Sequence, residues 1–203
     1  MGELSINESM KLSEHFSLGE LTKTSYHTTD GNIPSHVAIE NLKRLCEGWL
    51  EELRRTYNEL YGEEVKGKLK GSSCVPSVAS EQSSSDRSAQ EFLRPFGSKR
   101  AKLERKGQYS EIPIIISSGY RSEEVNRKCG GAKGSNHLTG CAVDIRCYGP
   151  EQMIRMAGIL LDIADGTKRE FDELILEKRG TTYWIHFAVR PKDNRRKILF
   201  DCR

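Results

Sequence analysis

Nothing in this 203-residue chain approaches the run of ~18 apolar residues that a membrane-spanning helix needs. Its opening, MGELSINESMKLSEHF, has no basic stretch followed by an apolar one, so it does not read as a secretion signal. The chain is therefore expected to be soluble and cytoplasmic on synthesis, with any later export dependent on a partner. An excess of one charge is also missing. Lys+Arg 32 against Asp+Glu 29 leaves +3, which does not suggest a general nucleic-acid binder. The six cysteines (Cys46, Cys74, Cys129, Cys141, Cys147 and Cys202) form no CxxC pair, which argues against a zinc ribbon. Without a secretion signal they are expected as reduced thiols packed like small hydrophobes. No internal repeat is visible. A hydrophobic fraction of 36% with a mean hydropathy of -0.61 is still enough for a single core.

Ser17 followed by Glu20 makes an S-x-x-E capping box that opens a short helix. A longer amphipathic helix is expected to start near Ser35, after Pro34. Its apolar positions Ala38, Leu42, Leu45, Cys46, Trp49, Leu53, Tyr57 and Leu60 step by three or four, and Gly62 is read as its stop. The composition then changes: residues 62–110 hold ten Ser and ten Lys/Arg against six Asp/Glu, with little periodic apolar pattern. Such a stretch cannot bury enough surface to offset its ordering entropy. It reads as a polar surface insertion, partly disordered, in a single domain spanning 1–203. A short helix around Ser88 to Leu93 and a basic cluster, Lys99 to Lys102, lie within it.

After Glu111 the pattern becomes dense. Ile112 to Ser118 reads as a buried strand, and Ser122 caps a helix after Gly119-Tyr120-Arg121. Cys141 to Cys147 reads as a second strand. Gly149-Pro150 opens a helix with Met153, Ala157, Leu160, Leu161 and Ala164 on one face. FDELILE (Phe171 to Glu177) and TYWIHFAV (Thr182 to Val189) read as a hairpin, and Arg196 to Phe200 as a last edge strand. The order predicts an α+β fold: a small, largely antiparallel sheet with helices packed on it.

Five histidines can be weighed one by one. His15, His27 and His36 sit in polar context and are expected at the surface. His137 stands in SNHLTGCAVD, seven residues before Asp144, and His186 stands on a strand between large apolar residues. An imidazole buried there needs a hydrogen-bond partner or a metal. A loop His, an Asp on the next strand and a strand His can converge as three ligands and leave a fourth position for water, the arrangement of a catalytic zinc site. Taken alone, His186 is more often a satisfied core histidine than a ligand.

The segment SGYRSEEVNRKCGGAKGSNHLTGCAVDI (Ser118 to Ile145) resembles the S-x-H-x-x-G-x-A-x-D signature of the zinc D-Ala-D-Ala carboxypeptidases, a group that includes phage endolysin peptidases and the hedgehog domain. Ser135, His137, Gly140, Ala142 and Asp144 fill it. LSEHFSLGEL, ENLKRLC and FDELILE with WIH resemble a bacterial and phage branch, so the likeness covers about residues 11–61 and 111–201. The resemblance implies a hedgehog-like peptidase fold holding one zinc per chain on His137, Asp144 and His186. It implies Arg121 as the cation that faces the scissile carbonyl oxygen and binds substrate there, with a structural salt bridge as the alternative. Ser135 would position substrate or the metal loop, unless it is a turn residue. Gly130-Gly131 and Gly140 are read as backbone permissiveness.

Many members carry an acid three positions before the last His; here that position is Tyr183. A carboxylate is still needed to move a proton between water and the leaving amine. If the hairpin loop has an even number of residues, Glu173 and Glu177 share a face with His186 and Trp184; an odd loop turns both away. Glu177, nearer the turn, is the preferred base, with a solvated edge-strand glutamate as the alternative. The resemblance thus implies a zinc metallopeptidase acting through zinc-activated water on amide bonds of peptidoglycan stem peptides that contain D-amino acids. It leaves carboxypeptidase and endolysin-type action both open, with release to the wall by a phage holin-type route. The other class in play is an inactive zinc-stabilised module that binds cell wall or protein. Nucleic acid is not an expected partner, because the basic cluster has no aromatic platform.

Overall fold

The computed structural model describes residues 9–70 and 111–202. It divides into two compact units, one formed by residues up to Tyr57 and from Pro113 onward, the other by Asn58–Ile112. The Ser-rich stretch beyond residue 70, with the expected Ser88 to Leu93 helix and the Lys99 to Lys102 cluster, lies outside the described residues. In the second unit the Asn58 side chain clamps Ile112, donating to its carbonyl at 2.9 Å and accepting from its N–H at 2.7 Å.

Helix α1 (Leu18–Thr22) starts where the capping box placed it, with the Ser17 hydroxyl accepting from the Glu20 N–H. Helix α2 (His36–Leu45) is capped by Ser35 in the same way, through the Ala38 N–H. It runs through a π-helical turn (Cys46–Leu50) into α3 (Glu51–Lys70), and Cys46, Trp49, Leu50, Leu53 and Tyr57 are buried along one side. Gly62 does not stop this helix. A single glycine costs a helix only about 1 kcal/mol, and the residues after it are mostly good helix formers.

The fold is α+β. Five strands form one sheet in the order β1-β2-β4-β3-β5: β1 (Ile115–Ser118), β2 (Ala142–Cys147), β3 (Glu173–Arg179), β4 (Thr182–Ala188) and β5 (Lys197–Cys202). Strand β1 is shorter than its apolar run and lies at the sheet edge, with Ile116 buried and Ser117 exposed, because Pro113 lacks the N–H that a ladder needs. β1, β2, β4 and β3 pair antiparallel, whereas β5 is parallel to β3. The chain leaves β4 at the end where β3 begins and steps across β3, so the next strand runs in the direction of β3.

Alternation along the strands separates two faces. Val143, Ile145, Leu174, Leu176, Ile185 and Phe187 point to one side and are all but fully buried. Helix α5 (Pro150–Thr167) contributes Met153, Met156, Ala157, Ile159, Leu160, Ile163 and Ala164 to this core, while Leu161 is only half-buried. Trp49, Phe171 and Phe187 form an aromatic cluster, with centroids 5.0 Å apart for Trp49–Phe187 and 5.7 Å for Phe171–Phe187. Cys46, Cys141 and Cys147 are free and buried, but Cys129 is exposed, since it ends α4 (Glu123–Lys128) at the surface.

Candidate metal centre

The opposite face of the sheet carries the polar residues. Asp144 on β2 lies directly across from His186 on β4, which puts two signature positions 42 residues apart side by side. His137 comes from a short 3-10 turn (Asn136–Thr139) just before β2, capped by the Ser135 hydroxyl accepting from the His137 N–H at 3.3 Å. The turn ends at Gly140, whose φ of 70° is left-handed and where a Cβ would stand 2.4 Å from the Ala38 carbonyl oxygen. Only glycine fits there.

Three donor atoms converge. His137 Nε2 lies 3.2 Å from Asp144 Oδ1 and 3.2 Å from His186 Nδ1, and His186 Nδ1 lies 3.0 Å from Asp144 Oδ1. All three residues are at least nine-tenths buried. A tetrahedral ion with ligand bonds near 2.0 Å has an edge of about 3.3 Å between donors, close to this triangle.

The outer contacts of the two rings decide what this triangle holds. His137 Nδ1 is 2.6 Å from the Gly119 carbonyl oxygen, which only accepts, so the proton sits on Nδ1 and Nε2 presents a lone pair inward. His186 Nε2 faces Glu173 Oε2 at 3.6 Å, which draws its proton outward and leaves Nδ1 facing the triangle. Two lone pairs and a carboxylate oxygen at such distances repel unless a cation lies among them. Without a metal that cation is a proton on His186: burial lowers its pKa, but the Asp144 and Glu173 carboxylates outweigh burial and push it up to about 9. The donor set therefore fits a metal ion, with imidazole ligands oriented by outer partners.

Arg121 is part of the same assembly. Its Nη2 donates to Asp144 Oδ2, its Nε donates to Ser118 Oγ at 2.7 Å, and its backbone N–H donates to the His137 carbonyl at 3.1 Å. The guanidinium is thus paired with the ligand carboxylate, and it also lines the cavity in front of it. Burial works to raise the Asp144 pKa, but His137 and then His186 hold it well below the usual carboxylate range.

The hairpin turn is Gly180-Thr181, an even loop, with Gly180 at φ 59°. Glu177 pairs with Trp184 and Ile175 with His186, so Glu173 and Glu177 share the face of His186. Both line a cavity of about 570 Å³ together with His137, Asp144, His186 and Ser135. Their charges are set differently. Glu173 is pushed down to about 2, chiefly by His186, with Lys197 and Arg195 adding to it. Glu177 is raised, by burial first and then by the Asp144 charge, while the His186 charge and the nearby Trp184 indole N–H lower it in part. Tyr183 pairs with Cys147 and faces the helix-packed side, away from His186.

The match to known families falls on this region. Residues 77–168 match the family model described as Peptidase M15. The match covers less than half of the chain and makes it similar to the M15 peptidases. These are metallopeptidases, and His137, Asp144 and His186 form a group that can hold their metal. The matched span takes in His137 and Asp144 and ends before His186, which reaches the other two through strand pairing. Comparison with curated proteins found no match.

A second polar network lies next to this site, and sequence patterning did not point to it. The Asp172 carboxylate is fully buried and accepts two bonds of 2.7 Å from Arg195, one of 2.8 Å from Asn136 Nδ2 and a contact of 3.0 Å from Arg190. Asn136 also donates to Glu173 at 3.1 Å. It therefore ties the metal-site turn to the strand that carries Glu173. The only sequence signals were an aspartate next to Phe171 at a strand start and an asparagine next to His137.

Proposed function

We propose that the chain is a zinc-dependent peptidase that hydrolyses amide bonds in peptidoglycan stem peptides containing D-amino acids. One observation carries the reading: three donor atoms within 3.2 Å of one another, with the outward ring protons of both histidines drawn to other acceptors. Zinc held there by His137, Asp144 and His186 would polarise a carbonyl and lower the pKa of a water. Ser135 holds His137 in place through its N–H. Glu173 keeps His186 in the tautomer that presents Nδ1. Two carboxylates on one face with pKa values pushed apart divide the work. Glu173, pushed down to about 2, stays a fixed negative charge, and Glu177, raised, takes a proton at its carboxylate and returns it to the leaving amine. Arg121 fixes Asp144 and adds positive charge beside the substrate oxygen on which negative charge develops.

The test is zinc content and peptide hydrolysis measured together on wild type and His186→Ala. About one zinc per chain in wild type, lost in the variant, with a D-amino-acid fragment identified by mass only from wild type, is the expected result. Zinc without product across stem-peptide types would favour a binding module. An absence of zinc would remove the centre itself.

A further inference from the structure

A second cavity adjoins the one that holds the candidate metal ligands. It has a volume of about 440 Å³, runs along β1 and shares Ser117, Arg121 and Cys129 with the first. Its lining includes Lys23, Arg121 and Arg146 and not one carboxylate. Arg121 is committed to Asp144, whereas Lys23 and Arg146 have no ion pair or side-chain hydrogen bond among the described residues. By contrast, Arg190 and Arg195, which line the metal cavity, both pair with Asp172, and Arg195 also pairs with Glu173. Tyr26 and Tyr120 supply the half-apolar walls.

We propose that this second cavity is a substrate subsite for a carboxylate-bearing residue of the same peptide whose amide lies at the metal centre, with Arg146 and Lys23 as its anchors. The inference rests on the peptidase reading and sharpens it. Because the two cavities share Ser117, Arg121 and Cys129 along one side, a peptide lying in the first can reach past these residues into the second. Arg146 is two positions beyond Asp144 on β2 and projects from the same face. That spacing is about 7 Å along a strand, or two residues of an extended peptide. The anchored carboxylate therefore belongs to a residue one or two positions from the cleaved amide. A free D-Ala-D-Ala dipeptide has no side carboxylate and offers the subsite at most its C-terminal one. A stem peptide, which carries side carboxylates along its length, fills both cavities.

The probes are a pentapeptide stem with its side carboxylates free, the same stem with them amidated, and the dipeptide D-Ala-D-Ala. Cleavage and calorimetric binding are measured for full-length wild type and the Lys23→Gln/Arg146→Gln double variant. Both residues are exposed, so unchanged melting and unchanged zinc content establish that the variant folds. Wild type is expected to favour the free-carboxylate stem by about tenfold in kcat/KM and in Kd, as charge-assisted hydrogen bonds of this kind allow. The variant is expected to treat both stems alike. Cleavage with no preference in wild type, or with the preference intact in the variant, overturns the subsite and leaves the peptidase reading standing. A binding preference that the variant loses, without cleavage of any probe, sinks the peptidase reading and keeps the subsite. Neither binding nor cleavage removes both.

Discussion

The two faces of the sheet are made by the same strands and have almost nothing chemically in common. On β4, Ile185 and Phe187 enter the helix-packed core fully buried, while Trp184 and His186 between them line the metal cavity. On β2, Val143 and Ile145 flank Asp144 in the same alternation. The apolar face holds the strands in register by burying large side chains, each contributing roughly 1.5–3 kcal/mol. The polar face uses that register to set donor atoms about 3 Å apart, an arrangement that does not stabilise itself. A centre of converging lone pairs therefore depends on the core one residue away in the chain.

The largest contrast comes from neighbours. His186→Ala should abolish zinc retention and lower kcat/KM by more than about a thousandfold, over 4 kcal/mol of transition-state stabilisation. Unfolding of the metal-free protein should change by less than in Phe187→Ala, through loss of the His186 cation beside Asp144 and Glu173. Phe187→Ala, one residue on, should destabilise the fold by about 3–5 kcal/mol through a cavity beside Trp49 and Phe171. In the folded fraction its zinc content should be retained. Denaturant unfolding and metal analysis on the two variants separate the faces; a large loss of stability in His186→Ala would show that they are not separate.

Asp172→Asn probes the boundary between them. Its carboxylate is pushed down to about 2: burial works to raise it, and the bonds from Arg195 and Asn136 outweigh burial. Because the folded value lies below the unfolded one of about 3.9, its contribution is complete above that pH and is lost as pH falls through about 2. The variant should lose about 2 kcal/mol at neutral pH. Its stability should also fall less steeply than that of wild type between about pH 4 and pH 2. Unfolding midpoints measured across that range check both.

Much of this was legible from periodicity. The two strands of the hairpin were legible but the parity of its turn was not, and only the two-residue turn puts Glu173 and Glu177 on the face of His186; serine caps opened α1, α2 and α4 where the hydroxyls stand. What was not legible depends on who meets whom. Asp172 gathers Asn136, Arg190 and Arg195 from three separate segments, and no spacing rule links them. Arg121 carries the same charge whether it pairs with Asp144 or faces a substrate, so the sequence leaves the choice open. The parallel pairing of β5 depends on which side of β3 the chain crosses after β4, a decision made by the packed sheet.

Glu173→Gln should have a smaller effect than either core or ligand substitution. It keeps the shape and hydrogen-bonding capacity of the side chain but removes the charge that holds the proton on His186 Nε2. Loss of an outer partner of this kind weakens metal affinity by about tenfold or somewhat more. Competition with a chelator of known affinity measures it. An unchanged affinity would mean that His186 is oriented by its strand alone.

The smallest expected effect is the sharpest test of the two-face arrangement. Tyr183 stands where related peptidases carry an acid, three positions before the last histidine, so Tyr183→Glu restores the residue type. With β4 paired regularly from Thr182 to Ala188, an odd displacement from His186 lands on the opposite face, next to Cys147 and Lys178 rather than in the cavity. The Lys178 Nζ already sits 5.9 Å from the Tyr183 ring centre, so the new carboxylate would pair with that amine. Activity should stay within about twofold of wild type, the surface ion pair being worth under about 1 kcal/mol. Glu177→Gln is expected to remain as defective with the added acid as without it. Recovery of turnover in the Tyr183→Glu/Glu177→Gln protein would mean that β4 twists or bulges near Tyr183 during catalysis, so that alternation no longer separates the chemistry from the core.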